Sequence, residues 1–269
     1  MSAFPSLISM RIEKMSVKPA ALFLFAHQDD EFGIYQKIVD ELQAGSQICC
    51  AYLTDGSRNG VSAKRRNRES LAVLTHLEVR EEDIFFAGEA LSIEDGTLPE
   101  HLDRASGWIR NWLCSYPQIR SIYVPAWEGG HHDHDALHAI TVSIAQMNDT
   151  ISLVRQFPLY NGYLCGGPLF RVLLPLKNNG FVENRSIPWK NRLRFLRHCL
   201  SYPSQAKTWL GLFPFVFLHY LGRGTQTTQP VSIERLSQRP HAGPLYYERR
   251  RFFTWEQMAN CLSSWSERK

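Results

Sequence analysis

His27, Asp29, Asp30 and Glu31 place one histidine and three acids directly behind an apolar run, Ala20 to Phe25. Carboxylates gathered at the end of a buried strand are strongly disfavoured unless a cation offsets them. A divalent metal is the simplest such cation. His27 and Asp30 are separated by two residues, so a strand-to-helix turn can aim both at one point, while Asp29 between them can reach a water on the metal. A second cluster, Gly129-Gly130-His131-His132-Asp133-His134-Asp135, packs three imidazoles and a carboxylate into residues 131–134. Together the clusters supply borderline nitrogen and hard oxygen ligands, the set used by catalytic zinc. Two ligands from the first cluster and one histidine from the second would leave a fourth position open, as in a hydrolytic site. Two plainer readings compete. Asp29 or Asp30 alone would be an ordinary helix cap. His134 and His138 have the spacing of a helical zinc pair, but Asp135 replaces the glutamate base of that motif and the first cluster would go unexplained. His138 is therefore read as structural.

These side chains need a scaffold, and residues 20 to about 155 supply alternating signals for one. Strands are expected at Ala20–Phe25, Gln47–Leu53, Asp83–Ala87, Arg120–Val124 and Ile151–Arg155. Helices are expected at Phe32–Leu42, Lys64–Leu77, Pro99–Tyr116 and Asp133–Met147. Such alternation with short connections predicts an α/β fold: a Rossmann-like, mostly parallel sheet flanked by helices. In these sheets the active site lies beyond the carboxyl ends of the strands. Both polar clusters follow predicted strands, so they can converge there.

After residue 156 glycine and proline become frequent, and helical spacing returns at Trp189–Leu200. This part reads as an irregular C-terminal extension. The expected division is an N-terminal arm at 1–18, a core at 19–206 and an extension at 207–269 packed on the core. The aromatic-rich run Trp209 to Leu221 reads first as core. Flanked by Arg192, Arg194, Arg197, Lys207 and Arg223, its second reading is peripheral docking on an anionic membrane or a grip on a lipid-linked sugar. Arg249-Arg250-Arg251 reads first as a solvated face, with phosphate or nucleotide contact as the alternative.

Charge is divided unevenly: the 269-residue chain has a net +4, yet its first 149 residues are acidic and the remainder basic, with Asp149 the last aspartate. No zinc-finger, recognition-helix or RNP-like pattern favours nucleic acid. Six scattered cysteines without CxxC spacing read as free thiols in a reducing compartment, which points to the cytoplasm. The first eighteen residues lack the apolar core of a signal peptide, and no apolar run is long enough for a transmembrane helix.

The pair Ala26-His27-Gln28-Asp29-Asp30-Glu31 and His131-His132-Asp133-His134 closely resembles the motifs of the LmbE-like (PIG-L) N-acetylglucosaminyl deacetylase superfamily. Gln28 stands where that family commonly has proline. Further matches are Leu53-Thr54-Asp55-Gly56, Arg66 with Glu69, Asp95-Gly96 and Tyr202-Pro203-Ser204-Gln205, so the resemblance spans roughly 19–206. It implies a Rossmann-like fold and zinc-dependent removal of an N-acetyl group from an N-acetylglucosamine-type sugar in a conjugate. It also implies roles: His27, Asp30 and His134 as zinc ligands, Asp29 as general base, and His131 stabilising or protonating the tetrahedral intermediate. Asp133 would orient His131, and Arg66 would be a substrate ligand. The alternatives are an amidohydrolase acting on another N-acyl group, and a non-catalytic protein bound to an anionic membrane that has kept the fold. The expected cofactor is Zn2+ and the expected partner a small amino-sugar conjugate.

Overall fold

The structure, a computed structural model, describes residues 18–57 and 60–266. Of the expected arm at 1–18, only Lys18 lies within the described residues.

Five parallel strands form the centre: β1 (Ala20–Phe25), β2 (Gln47–Tyr52), β3 (Ile84–Phe85), β4 (Ile119–Pro125) and β5 (Val154–Phe157). A short hairpin of β6 (Tyr160–Asn161) and β7 (Arg171–Val172) stands apart. Two late strands, β8 (Glu183–Ser186) and β9 (Thr225–Pro230), extend the sheet antiparallel, giving the order β3-β2-β1-β4-β5-β9-β8. The mostly parallel α/β expectation holds.

Helices cover both faces. Strand side chains alternate between two cores, as the two-residue period requires. Ala21, Phe23 and Phe25 of β1 join Ile48, Cys50 and Tyr52 of β2 on one face. That face is closed by α1 (Tyr35–Gln43), α2 (Ala63–His76), α6 (Trp189–Cys199) and α7 (Ala206–Gly222). Ala20, Leu22 and Leu24 lie on the other, under α4 (Leu102–Cys114), α5 (His132–Met147) and α9 (Trp255–Ser266). Two short helices, α3 (Ala87–Leu91) and α8 (Tyr246–Arg249), complete the set.

Several boundaries differ from the sequence expectation. The helix expected from Phe32 begins at Tyr35, because Asp30–Gly33 forms a 3-10 turn. Pro99 likewise sits in a 3-10 turn, Leu98–Glu100, and α4 starts behind it. Strand β5 begins only at Val154, after another such turn.

The strand order has a topological switch point. The connection leaving β1 runs to β2 on one side, while β4 flanks β1 on the other. A crevice must open beyond the carboxyl ends of β1 and β4, where ligands bind in such sheets. Both motif clusters emerge there: residues 26–31 follow β1 and residues 126–135 follow β4.

Candidate active site

The turn after β1 is held by its own side chains. Asp30 Oδ2 accepts from the backbone N–H groups of Ala26 (3.0 Å) and His27 (2.8 Å). Asp29 adopts a left-handed backbone, φ 112°, which a non-glycine residue rarely takes without support. The support is Glu31, whose Oε2 accepts from the Asp29 N–H at 2.9 Å. Glu31 is fully buried and is anchored in turn by the Tyr202 hydroxyl, which donates to Oε1 at 2.7 Å. The late Tyr202 motif thus reaches back to the turn of the first cluster. Ser204 does the same for the helix behind it, donating its backbone N–H to Glu69 at 3.0 Å.

The second cluster opens α5. His131 is its N-cap, with Nδ1 accepting from the Asp133 N–H at 3.2 Å. Gly130 makes the approach possible: a Cβ there would come within 2.0 Å of the Tyr160 carbonyl oxygen.

The two clusters meet. His27 Nδ1 lies 3.1 Å from His134 Nε2, and His134 Nε2 lies 3.0 Å from Asp30 Oδ1. Asp30 Oδ2 is 3.7 Å from His27 Nδ1. All three residues are buried. Ligands about 2.0–2.1 Å from a tetrahedral metal stand roughly 3.3 Å apart, so this two-imidazole, one-carboxylate set fits a metal ion in both spacing and donor type. A second group, His27, Asp95, His131 and Asp133, shares His27. It is the weaker candidate, because Asp133 already accepts backbone N–H groups on both oxygens.

Asp133 stands beside two histidines. The sequence expectation has it orienting His131. Its Oδ2 lies 2.9 Å from His27 Nε2 and 3.8 Å from His131 Nδ1. Gly96 N–H donates to the same oxygen at 2.6 Å, and Leu98 N–H donates to Oδ1 at 3.0 Å. A carboxylate on Nε2 draws the His27 proton to that side and leaves the Nδ1 lone pair facing His134 and Asp30, the usual outer-shell arrangement of a metal-binding histidine.

Electrostatics follow from burial and pairing. Burial alone would lower His27, but Asp95, Asp133 and Asp30 override it and hold its pKa well above the ordinary value. Burial would raise Asp30, but the charge and hydrogen bond of His134, with help from His27, hold it far below. Asp133 is likewise held low against burial, chiefly by its bond to His27. Asp29 is the contrast: burial pushes it up to about 8, with only partial relief from Arg66.

Arg66, expected as a substrate ligand, is 3% exposed. It donates to Gln28 O (2.7 Å), Gly56 O (2.9 Å), Asp95 (3.0 Å) and Asp29 Oδ1 (3.4 Å). It ties the first motif loop to Gly56 and Asp95. Gln28 adds a second tie, donating to Asn67 Oδ1 at 2.7 Å and Thr54 O at 3.3 Å. His138 stands outside both metal-capable groups, and its Nδ1 meets Pro125 O at 2.9 Å.

The sequence reading passed over Glu128 and Tyr160. Glu128 is buried and accepts from Leu159 N–H, Tyr160 N–H and the Asn161 amide at 2.7–3.0 Å, fixing the β6 hairpin over the site. The Tyr160 ring sits 5.7 Å from His134. A lone glutamate before two glycines was the only local signal.

Residues 22–145 match the family model described as PIG-L: GlcNAc-PI de-N-acetylase. This segment is a PIG-L (LmbE-like) domain. Solved structures with the same architecture include a deacetylase triple mutant of the teicoplanin biosynthetic pathway, at 19% identity and TM-score 0.61, covering 79% of this chain and 98% of that one. A zinc-inhibited form of teicoplanin deacetylase aligns at 15% identity and TM-score 0.59, covering 79% and 98%. The N,N'-diacetylchitobiose deacetylase from Pyrococcus horikoshii aligns at 13% identity and TM-score 0.55, covering 83% and 87%. At these identities the likeness establishes the fold. No curated protein sequence matches the chain.

Proposed function

We propose that this PIG-L domain is a zinc-dependent N-deacetylase acting on an N-acetylglucosamine-type sugar in a conjugate. One observation carries the reading: His27, Asp30 and His134 converge on one point, with Asp29 and His131 beside them. Zinc held by these three residues would activate a water and polarise the amide carbonyl.

The chain's own residues divide the remaining work. Asp29, its backbone fixed by Glu31 and its carboxylate held by Arg66, takes the proton as water adds to the acetyl carbon. A carboxyl whose pKa is raised towards neutrality suits that role. His131, with its ring centroid 4.6 Å from that of His27, stabilises the developing oxyanion and gives a proton to the departing nitrogen as the C–N bond breaks. The products are acetate and the free amine. Asp133 holds His27 in its metal-binding tautomer, a positioning role added to the expected one toward His131. Arg66 acts by holding Asp29 and Asp95 rather than by contact with the sugar. The half-buried Tyr160 beside His134 offers a face for the sugar ring.

The reading extends to compartment and organisation. Free buried Cys49, Cys50 and Cys199 support a reducing, cytoplasmic setting. Residues 207–269 serve as an extension of the 19–206 core: β9 enters the main sheet and α9 closes its second face. The deciding experiment pairs metal analysis of the purified protein with acetate release from a panel of N-acetylglucosamine conjugates, with and without chelator. About one zinc per chain and chelator-sensitive acetate release are expected. Zinc without acetate release would redirect the assignment to another amide, and no metal after reconstitution would sink it.

A further inference from the structure

We propose that α6 and α7 form a docking face for an anionic lipid bilayer. The inference goes beyond the deacetylase reading and stands without it. Among the described residues, large exposed apolar side chains concentrate on this helix pair. Trp189, Leu193 and Leu200 on or beside α6 are 58–65% exposed, and Leu210 and Leu218 on α7 are 81% and 63% exposed, joined by Phe217 and Leu221. Exposed apolar side chains gathered on two adjoining helices, rather than scattered singly, point to an interaction site.

The fold does not need these side chains inside. The opposite faces of the same helices already fill the core with Phe195, Leu196, Trp209, Leu212 and Val216. Each helix thus has an inner apolar face committed to the protein and an outer one left exposed among the described residues. The outer positions on α7 recur at helical spacing, 210, 217, 218 and 221, which makes a stripe rather than scattered residues. The two helices are joined at one end by a direct tie: Arg192 stacks on the Trp189 ring, 4.2 Å from its centroid, and donates to the Tyr220 carbonyl at 3.0 Å.

Charge selects the occupant. Between Glu183 and Glu234 the chain contains no acid, while Lys190, Arg197, Lys207 and Arg223 are exposed on or next to the two helices; Arg192 and Arg194 are committed to the carbonyls of Tyr220 and His76. Apolar side chains interleaved with long basic ones, and no carboxylate among them, fit a surface whose phosphates lie above an acyl layer. The basic heads meet the phosphates while their stems and the leucines enter the interface. No helix among the described residues is long and apolar enough to cross a membrane, so the contact is peripheral. The face is also joined to the site. Phe215 of α7 packs on Phe170 (ring centroids 5.0 Å), Phe170 on Tyr160 (6.2 Å), and Tyr160 on His134.

The test is co-sedimentation of the full chain with vesicles of phosphatidylcholine alone and of phosphatidylcholine with about one third phosphatidylglycerol. Binding at least about tenfold stronger to the anionic vesicles, and weakened by salt, is expected. Leu210→Glu with Leu218→Glu, and separately Lys207→Glu with Arg223→Glu, should each reduce that binding about tenfold. All four positions are exposed, so unchanged circular dichroism and melting temperature are expected as controls. Equal binding to both vesicle types, no binding, or variants that bind like the parent chain would overturn the proposal. So would self-association abolished by the leucine substitutions in a protein that ignores vesicles, which would make a second copy the occupant.

Discussion

The crevice beyond β1 and β4 and the outer face of α6 and α7 break the ordinary rule of burial in opposite directions. The crevice buries charge: His27, Asp29, Asp30, Asp133 and His134 are all less than a tenth exposed. The helix pair exposes leucine and tryptophan. Buried polar groups and exposed apolar patches are the informative departures from a folded protein's normal distribution, and each costs stability that the rest of the fold must supply. The difference between the two regions is in what each still requires. In the crevice Asp30 and Asp133 accept backbone N–H groups, and two imidazoles and a carboxylate face one another at a spacing that suits a cation. The helix pair has its inner face fully packed and requires an external surface.

The largest effect should come from removing a metal ligand. His134→Ala is expected to reduce metal content to background and acetate release with it, read by metal analysis beside a turnover assay. Asp29→Ala should separate chemistry from metal binding: metal stays, while turnover falls by about 10²–10⁴-fold. If Asp29→Ala kept full turnover, the proposed general base would be wrong and the buried charge of the crevice would need another explanation. Asp133→Asn should weaken metal affinity by about 10–100-fold, since it loosens the tautomer of His27 without removing a ligand; isothermal titration of the metal-stripped protein measures this.

Stability measurements sharpen the same contrast. Within α7 alone, Leu212→Ala should cost about 2–5 kcal/mol, because that side chain is buried in the core. Leu218→Ser, two turns along and turned outward, should stay within about 0.5 kcal/mol. Equal costs in denaturant melts would show that the outer stripe is packed after all.

Glu128 gives a pH-dependent version of the test. Burial pushes its carboxyl up to about 7, whereas the unfolded chain loses that proton near pH 4.3. The folded state therefore binds the proton more tightly, so its contribution is fully present below the unfolded pKa and is lost as pH rises towards 7. Asp135, pushed up to about 8 by burial, has the same sign. Glu128→Gln should therefore lose less stability than the parent chain between about pH 5 and pH 8. A parallel decline in both proteins would show that Glu128 is ionised throughout.

Much of this molecule is legible in its sequence. The strands β1, β2 and β4 are continuous apolar runs because both faces of a parallel sheet are covered, and such runs announce themselves. The two motif clusters stand out for the same reason, since acids beside a buried strand have few structural excuses. The late strands do not announce themselves. The β9 sequence Thr-Gln-Thr-Thr-Gln-Pro has no hydrophobic alternation, yet Gln226 to Gln229 are buried, the two glutamines bonding backbone groups of other segments. Gln226 Oε1 accepts the first N–H groups of α1, and the Gln229 amide donates to Leu176 O and Gly180 O. Such pairings depend on partners far along the chain, and no local pattern encodes them.

Residue types and their spacing by themselves determined the α/β alternation, the two polar clusters and the basic, acid-free stretch around α6 and α7. Only the tertiary structure decided which atoms face each other. It set Asp133 against His27 as well as near His131, buried Arg66 beside Asp29, and joined Tyr202 to Glu31. The physical reason is that chain spacing fixes the side of an element on which a residue lies, whereas a hydrogen bond is made or lost within about half an ångström. That precision is set by the packing of β1 against β4 and of the helices over both.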